Sequence, residues 1–266
     1  MVVYLGTKPV GVNKVVEKKV AKVKYGVTID NVIGDVDANG VLNRPTSLFA
    51  LDFSGVKEIG SSALKNAFNA NTSVESADFG SVEHIKVGGL EGAFTDCTAL
   101  KTVNLSSLRT VENNGLSSAF TSAGLVGHLD LSSLEIGEGL GQAFQLCKGI
   151  TSVDLSSLTQ IKSYGLQYTF SSCEGILNID FSALQSVEAT GLSATLQRTK
   201  LKTISFPSLT TVATSAFGSS SSNVVFRYCT ELTEIHFRAD AQAAIEATSQ
   251  YANKWGATNA TIYFDL

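Results

Sequence analysis

Along most of the chain the hydrophobic positions form one recurring series. One instance is Leu100, Val103, Leu105, Leu108, Val111, Leu116 and Phe120, and another is Ile150, Val153, Leu155, Leu158, Ile161, Leu166 and Phe170, followed by Cys173. The offsets within the two are the same. Phenylalanines mark one position at Phe68, Phe94, Phe120, Phe144 and Phe170; Leu196 takes it in the next unit and Phe217 in a shorter one. The period is therefore about 26 residues, with a small deletion around Gly137. Seven units and a truncated eighth begin near Leu48, Val74, Leu100, Val126, Ile150, Ile176, Leu201 and Leu232. Self-similarity at such a period is the mark of a solenoid.

Each unit predicts the same local course. In Thr102-Val103-Asn104-Leu105 the apolar residues alternate with polar ones, as in a short half-buried strand. The small pair Ser106-Ser107 permits a sharp turn, and Leu108 and Val111 bring the chain back inward. Gly115-Leu116 to Phe120 then places two apolar residues four apart, the spacing of a single helical turn facing the core. No unit can bury its apolar face alone, so neighbours must stack. At about 4.8 Å per coil, eight coils make a rod of roughly 40 Å. The expected fold class is α/β and β-rich: a solenoid of short strands and single helical turns, with a C-terminal helix-strand cap.

Three regions follow. Residues 1–47 do not repeat; Val2 to Leu5 and Val15 to Val27 read as strands joined by glycine-containing turns, forming a β-rich cap or attachment segment. Residues 48–237 are the solenoid. Residues 238–266 are the C-terminal cap: Asp240 is placed to cap a helix running to about Lys254, with Ile245, Thr248, Tyr251, Ala252 and Trp255 on one face, before a strand over Thr261 to Phe264.

The run Ala143-Phe144, Cys147, Ile150, Val153, Leu155, and its interrupted counterpart Ala216-Phe217, Cys229, Leu232, Ile235, Phe237, resemble the BspA-like leucine-rich repeat. The likeness spans about residues 48–237 and departs from the commoner form by a Gly-Leu step before the phenylalanine. It implies a leucine-rich-repeat solenoid and binding rather than catalysis, on a microbial cell surface or in the extracellular space, with a host protein or glycan as partner. Two shorter stretches, Gly34 to Gly40 and Lys254 to Phe264, resemble the ends of phage and prophage tail-associated repeat proteins. That resemblance implies a virion setting, with residues 1–47 engaging other virion proteins or a second copy of the chain. The adhesin setting and a purely structural spacer stand as alternatives.

Charge narrows the partners. The net charge of −4 and a pI near 5.4 argue against nucleic acid. Residues 1–26 are the exception, carrying Lys8, Lys14, Lys18, Lys19, Lys22 and Lys24 against Glu17; an alternating strand with solvated lysines accounts for them. No apolar run is long enough for a membrane span, and no signal peptide is visible at Met1 to Gly6.

The most orderly polar feature is a pair of columns. Asp52, Asp78, Asn104, Asp130, Asp154 and Asp180 share one repeat position, continued by Ser205 and His236; Ser76, Thr102, His128, Ser152, Asn178 and Thr203 share another. Stacked carboxylates about 5 Å apart repel. Each is expected to accept a backbone N–H from the Ser-Ser turn that follows it. The binding face is expected at Ser76, Asp78, Thr102, Asn104, His128, Asp130, Ser152, Asp154, Asn178 and Asp180. Asp35, Asp37 and Asn39 resemble half of a calcium loop, but its twelfth position is Thr46, and a turn built on Asx chemistry explains the same residues. Cys97, Cys147, Cys173 and Cys229 share one repeat position and read as buried structural thiols, with Cys147 and Cys173 close enough to pair. The histidines lie in different repeats with no nucleophile motif, Gly137 to Gly141 replaces a turn rather than cradling phosphate, and neither an enzyme nor a cofactor is expected.

Overall fold

A computed structural model describes residues 4–5, 19–22, 48–53 and 55–266 of the chain. Asp35, Asp37 and Asn39, and the attachment role expected of the head, lie outside these residues. The described chain winds as a solenoid whose coils stack in parallel register. The first side of each coil is a strand: Leu48–Asp52, Ser76–Asp78 and Thr102–Asn104 pair in one ladder, Val126–Asp130, Gly149–Asp154 and Asn178–Asp180 in a second, and Thr203–Phe206, Glu234–Phe237 and Thr261–Phe264 in a third. Lys19–Lys22 adds a parallel strand beside Leu48–Asp52, and Tyr4–Leu5 pairs antiparallel with it. The second side is a row of two-residue strands such as Thr110–Val111, following a turn closed by the Leu108 N–H on the Leu105 carbonyl. Among the described residues no helix is long and apolar enough to cross a membrane.

The third side carries the Leu-x-x-x-Phe step, and it is not a helical turn. From Asn114 to Ala123 the N–H groups alternate in their use. Those of Leu116, Ser118, Phe120 and Ser122 donate to Gly139, Gly141, Ala143 and Gln145 of the next coil, at 2.8–2.9 Å. Those of Ser117, Ala119, Thr121 and Ala123 close turns onto the carbonyl three residues back. Asn114, Ser118 and Ser122 sit in the left-handed region with φ of 57°, 53° and 57°. Spacing explains the difference from expectation. A helix is about 10 Å across and cannot be stacked side by side at about 4.8 Å per coil without bending the rod. A ribbon of turns fits that spacing and still returns Leu116 and Phe120 to the core, both fully buried.

Two phenylalanine columns fill the interior. On the turn side Phe68, Phe94, Phe120, Phe144 and Phe170 stack with ring centroids 5.1–5.7 Å apart. On the strand side Phe53 stacks on Phe79 at 4.3 Å, Leu105, Leu131 and Leu155 follow, and Phe181, Phe206, Phe237 and Phe264 resume the stack.

The structure corrects two alignments. The fourth unit turns inward at Leu125, which is 3% exposed, not at Val126, which is 53% exposed. Gly127 lies in the left-handed region with φ of 82°, and the register with the next strand shifts there, leaving Thr151 unpaired between Ile150 and Ser152. Near the C-terminus, Phe217 takes the leucine position beside Leu192, whose N–H reaches Ala216, while Phe226 is the counterpart of Leu196, whose N–H reaches Val225. The insertion Gly218 to Asn223 loops out between them, with the Asn223 side chain accepting the N–H groups of Ser219 and Ser220. The signal for this was present: Phe226-x-x-Cys229 repeats the spacing of Phe144-x-x-Cys147.

The cap is also rebuilt. The α-helix covers only Gln242–Glu246; Asp240 pairs with Arg238 instead of capping it. The chain leaves the helix through Gln250 in the left-handed region. Ile245, Thr248 and Trp255 are buried, Tyr251 is half-buried, and Ala252 faces solvent. Trp255 packs on Phe217 and Phe237 and donates its indole N–H to Thr248. Thr261–Phe264 supplies the last parallel strand, as expected.

Candidate interaction face

The outward side chains of the strands form the expected columns, because parallel register puts equivalent residues opposite one another. Ser76 stands opposite Thr102 and Asp78 opposite Asn104; His128, Ser152 and Asn178 align, as do Asp130, Asp154 and Asp180. The columns are not continuous. The ladder is interrupted between Thr102–Asn104 and Val126–Asp130, and again between Asn178–Asp180 and Thr203–Phe206. On the N-terminal side of each break the strand's central residue, Val103 or Ile179, is half-buried, whereas Leu129 and Ile204 across the breaks are buried, as is Val153. A groove of about 470 Å³ lies along the second break, lined by Asp154, Asn178, Asp180, Thr203 and Ser205 among others.

The carboxylate column is held as the sequence suggested. Asp78, Asp130, Asp154 and Asp180 each accept the backbone N–H two residues on, from Gly80, Ser132, Ser156 and Ser182, at 2.7–3.0 Å. Asn104 does the same for Ser106 at 3.2 Å and donates its amide to Asp78 at 2.9 Å, so the one neutral member relieves its neighbour. The hydrogen bonds from Ser132 hold the Asp130 carboxyl below the usual range. The second position of three turns has a separate use: Ser107, Ser133 and Ser208 donate their hydroxyls to carbonyls of the preceding coil. Short side chains tied to their own turns leave little rotamer freedom, so this face is rigid before anything binds.

The histidines fit the same stacking logic. His128 Nδ1 lies 2.8 Å from Ser152 Oγ, within reach for a base and a nucleophile. His84 makes an equivalent contact with Thr110 Oγ1 at 2.8 Å on another side of the coil. The same pairing thus links histidine to a hydroxyl across coils at two positions, as a rung of the stack. His236 continues the aspartate column; it stacks on Tyr263 at 4.8 Å and bonds Asp265 at 2.9 Å, which raises its pKa, with Glu234 adding to the effect.

The cysteines are free and buried. Each Sγ donates to a carbonyl of the preceding coil: Cys97 to Phe68, Cys147 to Phe120, Cys173 to Phe144 and Cys229 to Leu196, at 2.9–3.0 Å. The thiols of Cys147 and Cys173 are thus engaged with backbone rather than each other. Burial pushes the Cys147 pKa up to about 12 and raises that of Cys173 well above the ordinary thiol value. Among the described residues no cluster of three metal-ligating side chains occurs.

Two features escaped the sequence reading. Opposite charges recur 26 residues apart, as Lys57–Glu83, Arg109–Glu135 and Lys162–Glu188, and pair coil to coil. Being exposed, they contribute little to stability, but they avoid the repulsion that like charges would bring at stacked positions. The second is a notch of about 700 Å³ at the short coil around Gly139, lined by Asn113, Asn114, Glu138, Tyr164 and Gln167 among others. Its signal was the deletion near Gly137, which reads as a gap only once the coils are stacked.

Comparison with known proteins agrees with this architecture. The BspA type leucine rich repeat region matches in six copies over residues 45–138 and 117–224. No curated protein matches. Among solved structures, the chain is similar to a leucine-rich repeat protein from Bacteroides ovatus, with 18% identity, a TM-score of 0.40, and coverage of 82% of this chain and 60% of that one. A leucine-rich repeat protein from Eubacterium ventriosum gives 15% identity and a TM-score of 0.35, covering 71% and 59%. A leucine rich cell surface protein from Faecalibacterium prausnitzii gives 16% and 0.28, covering 82% and 73%. The chain thus spans about three fifths of the length of the first two. By its repeat, matched over most of its length, the chain belongs to the BspA-type leucine-rich repeat family.

Proposed function

We propose that the chain is a non-enzymatic binding protein that presents its strand face to a protein or glycan on a host surface, in the manner of a cell-surface or secreted adhesin. The observation that carries this reading is the pair of outward columns. Thr102, His128, Asn178 and Asp180 are exposed, Ser76, Asp78, Asp130, Ser152 and Asp154 are half-buried, and the carboxylates are fixed by their own turns. A pre-organised polar surface loses little entropy on binding. The tail-associated setting loses one of its supports, because Lys254 to Phe264 is accounted for by closing the last coil.

The test uses the full chain with immobilised host matrix proteins and a glycan array. Thr102→Arg, His128→Glu and Asn178→Arg, combined, leave the melting temperature near wild type and abolish capture. Unchanged capture by the triple variant would reject the strand face as the contact surface. Absence of capture on every surface, with a folded chain, would favour a spacer.

A further inference from the structure

The neighbours of the short coil turn their corner in six residues, Val111 to Leu116 and Ile161 to Leu166; the short coil does so in four, Gly137 to Leu140. The ladder survives on both sides, since Leu116 N–H reaches the Gly139 carbonyl and Leu140 N–H reaches that of Gly165. The loss therefore falls entirely on the corner. Asn113 and Asn114 line one wall of the gap, and Ser163 and Tyr164 the other. Gly139 crosses its floor with φ of 68°, and a Cβ there would collide with the Glu112 carbonyl oxygen.

Several polar groups at this gap have no partner among the described residues. At the equivalent position Glu112 accepts the Val87 N–H and pairs with Lys86, and Glu188 accepts the Ser163 N–H and pairs with Lys162. Glu138 makes no hydrogen bond or ion pair with any described residue. The side-chain amides of Asn113, Asn114 and Gln167 are likewise unengaged among the described residues. Tyr164 leaves 61% of its surface exposed at the rim.

We infer that this notch is a saccharide-binding site, taking one or two neutral pyranose units of a glycan. An exposed tyrosine ring offers an apolar platform for a sugar's C–H face. Amides that both donate and accept, beside a carboxylate that accepts, match vicinal hydroxyls. The volume lies in the range of small-ligand sites. Lys162 and Glu188 in the same lining neutralise each other, so a cationic side chain would find the single Glu138 carboxylate and leave the amides and the ring unused, whereas vicinal hydroxyls engage all of them. The site is separate from the strand face and stands or falls independently of it.

The test titrates the full chain with immobilised neutral oligosaccharides of glucose, mannose, galactose and N-acetylglucosamine, with a lysine- and arginine-rich peptide alongside. At least one oligosaccharide is expected to bind. Tyr164→Ala weakens it about tenfold or more, whereas Tyr164→Phe keeps it within about threefold. Inserting Asn-Asn between Glu138 and Gly139 restores the corner of residues 112–115, fills the notch and removes binding, while Glu231→Gln, at an exposed position outside both the notch and the strand face, changes nothing. The inference is overturned if no oligosaccharide binds, if the insertion variant melts like wild type and still binds, or if only the basic peptide binds. If the insertion variant does not fold, the tyrosine pair decides.

Discussion

The coils of Phe120, Phe144 and Phe170 are built differently from the coil that follows them, and the two phenylalanine columns show how. In the coils of Phe120, Phe144 and Phe170 the strand-side partner is a leucine: Leu105, Leu131 and Leu155. One coil later the arrangement inverts, with Phe181 on the strand side and Leu196 on the turn side, both buried. Each such coil thus carries one ring and one aliphatic side chain, so the cross-section keeps its volume while the ring changes sides. Where both positions are aromatic, as for Phe79 and Phe94, the rings meet edge to face at 6.0 Å. The outer surface changes over the same stretch, from a column of aspartates to Ser205, His236 and Tyr263. A repeat protein is a sum of coils and of coil-to-coil contacts; here the coils from Leu105 to Leu196 each keep one ring and one aliphatic side chain, and the placement of the ring is set by the stack it joins.

The most direct way to break this comparison is to remove a ring from the continuous stack. Phe120→Ala deletes a fully buried side chain that stacks on both Phe94 and Phe144, and is expected to cost about 3–5 kcal/mol in chemical denaturation. A loss below about 1 kcal/mol would mean the column is not a close-packed core. A sharper version moves the inversion by one coil. Phe170→Leu alone shortens the stack, and Leu155→Phe alone overpacks, at about 1–3 kcal/mol. Made together they put the ring on the strand side and the leucine on the turn side, the arrangement already present as Phe181 and Leu196. A double-mutant cycle is expected to show favourable coupling of about 0.5–3 kcal/mol. Strictly additive losses would show that volume is not shared across the coil.

Much of this was legible from residues alone. Period, strand position and the tying of Asp130 or Asp154 to the following serine N–H follow from alternation and Asx chemistry, which are local. The substitution of turns for a helical step was not legible, because Leu116 and Phe120 face inward in either conformation. Only the coil spacing excludes the helix, and that is a property of the stack. The C-terminal misalignment has a similar origin: Phe217 fits the phenylalanine pattern until the Gly218 to Asn223 loop is placed. The notch was written as a deletion of two residues, whose meaning depends on the coils before and after it.

The thiols test the turn-side column next. Their donors point into the backbone of the preceding coil, and the Cys147 pKa of about 12 leaves almost no thiolate at neutral pH. Ellman's reagent is expected to label none of the buried cysteines in the native chain over hours and all of them in denaturant. Prompt native labelling would show that the turn-side coils open locally.

The smallest effect separates the two surfaces by pH. Glu83, Glu112, Glu188 and Asp130, on the coils before the inversion or beside it, have lowered pKa values, chiefly through Lys57, Lys86, Lys162 and Ser132. Groups whose folded pKa is depressed stabilise above their unfolded values and lose that contribution as pH falls, here below about pH 4. His236 runs the other way. Its pKa is raised by Asp265 and, secondarily, by Glu234, so its contribution is complete below the unfolded histidine value and is lost as pH rises through the folded one. Hydrogen exchange should therefore quicken in the middle coils on acidification. The strand Thr261–Phe264, which His236 meets through Tyr263, should quicken instead as pH rises above the ordinary histidine range, and His236→Gln should remove that step. An equal response of both regions to either change would mean that charge on this solenoid is pooled along the rod rather than read coil by coil.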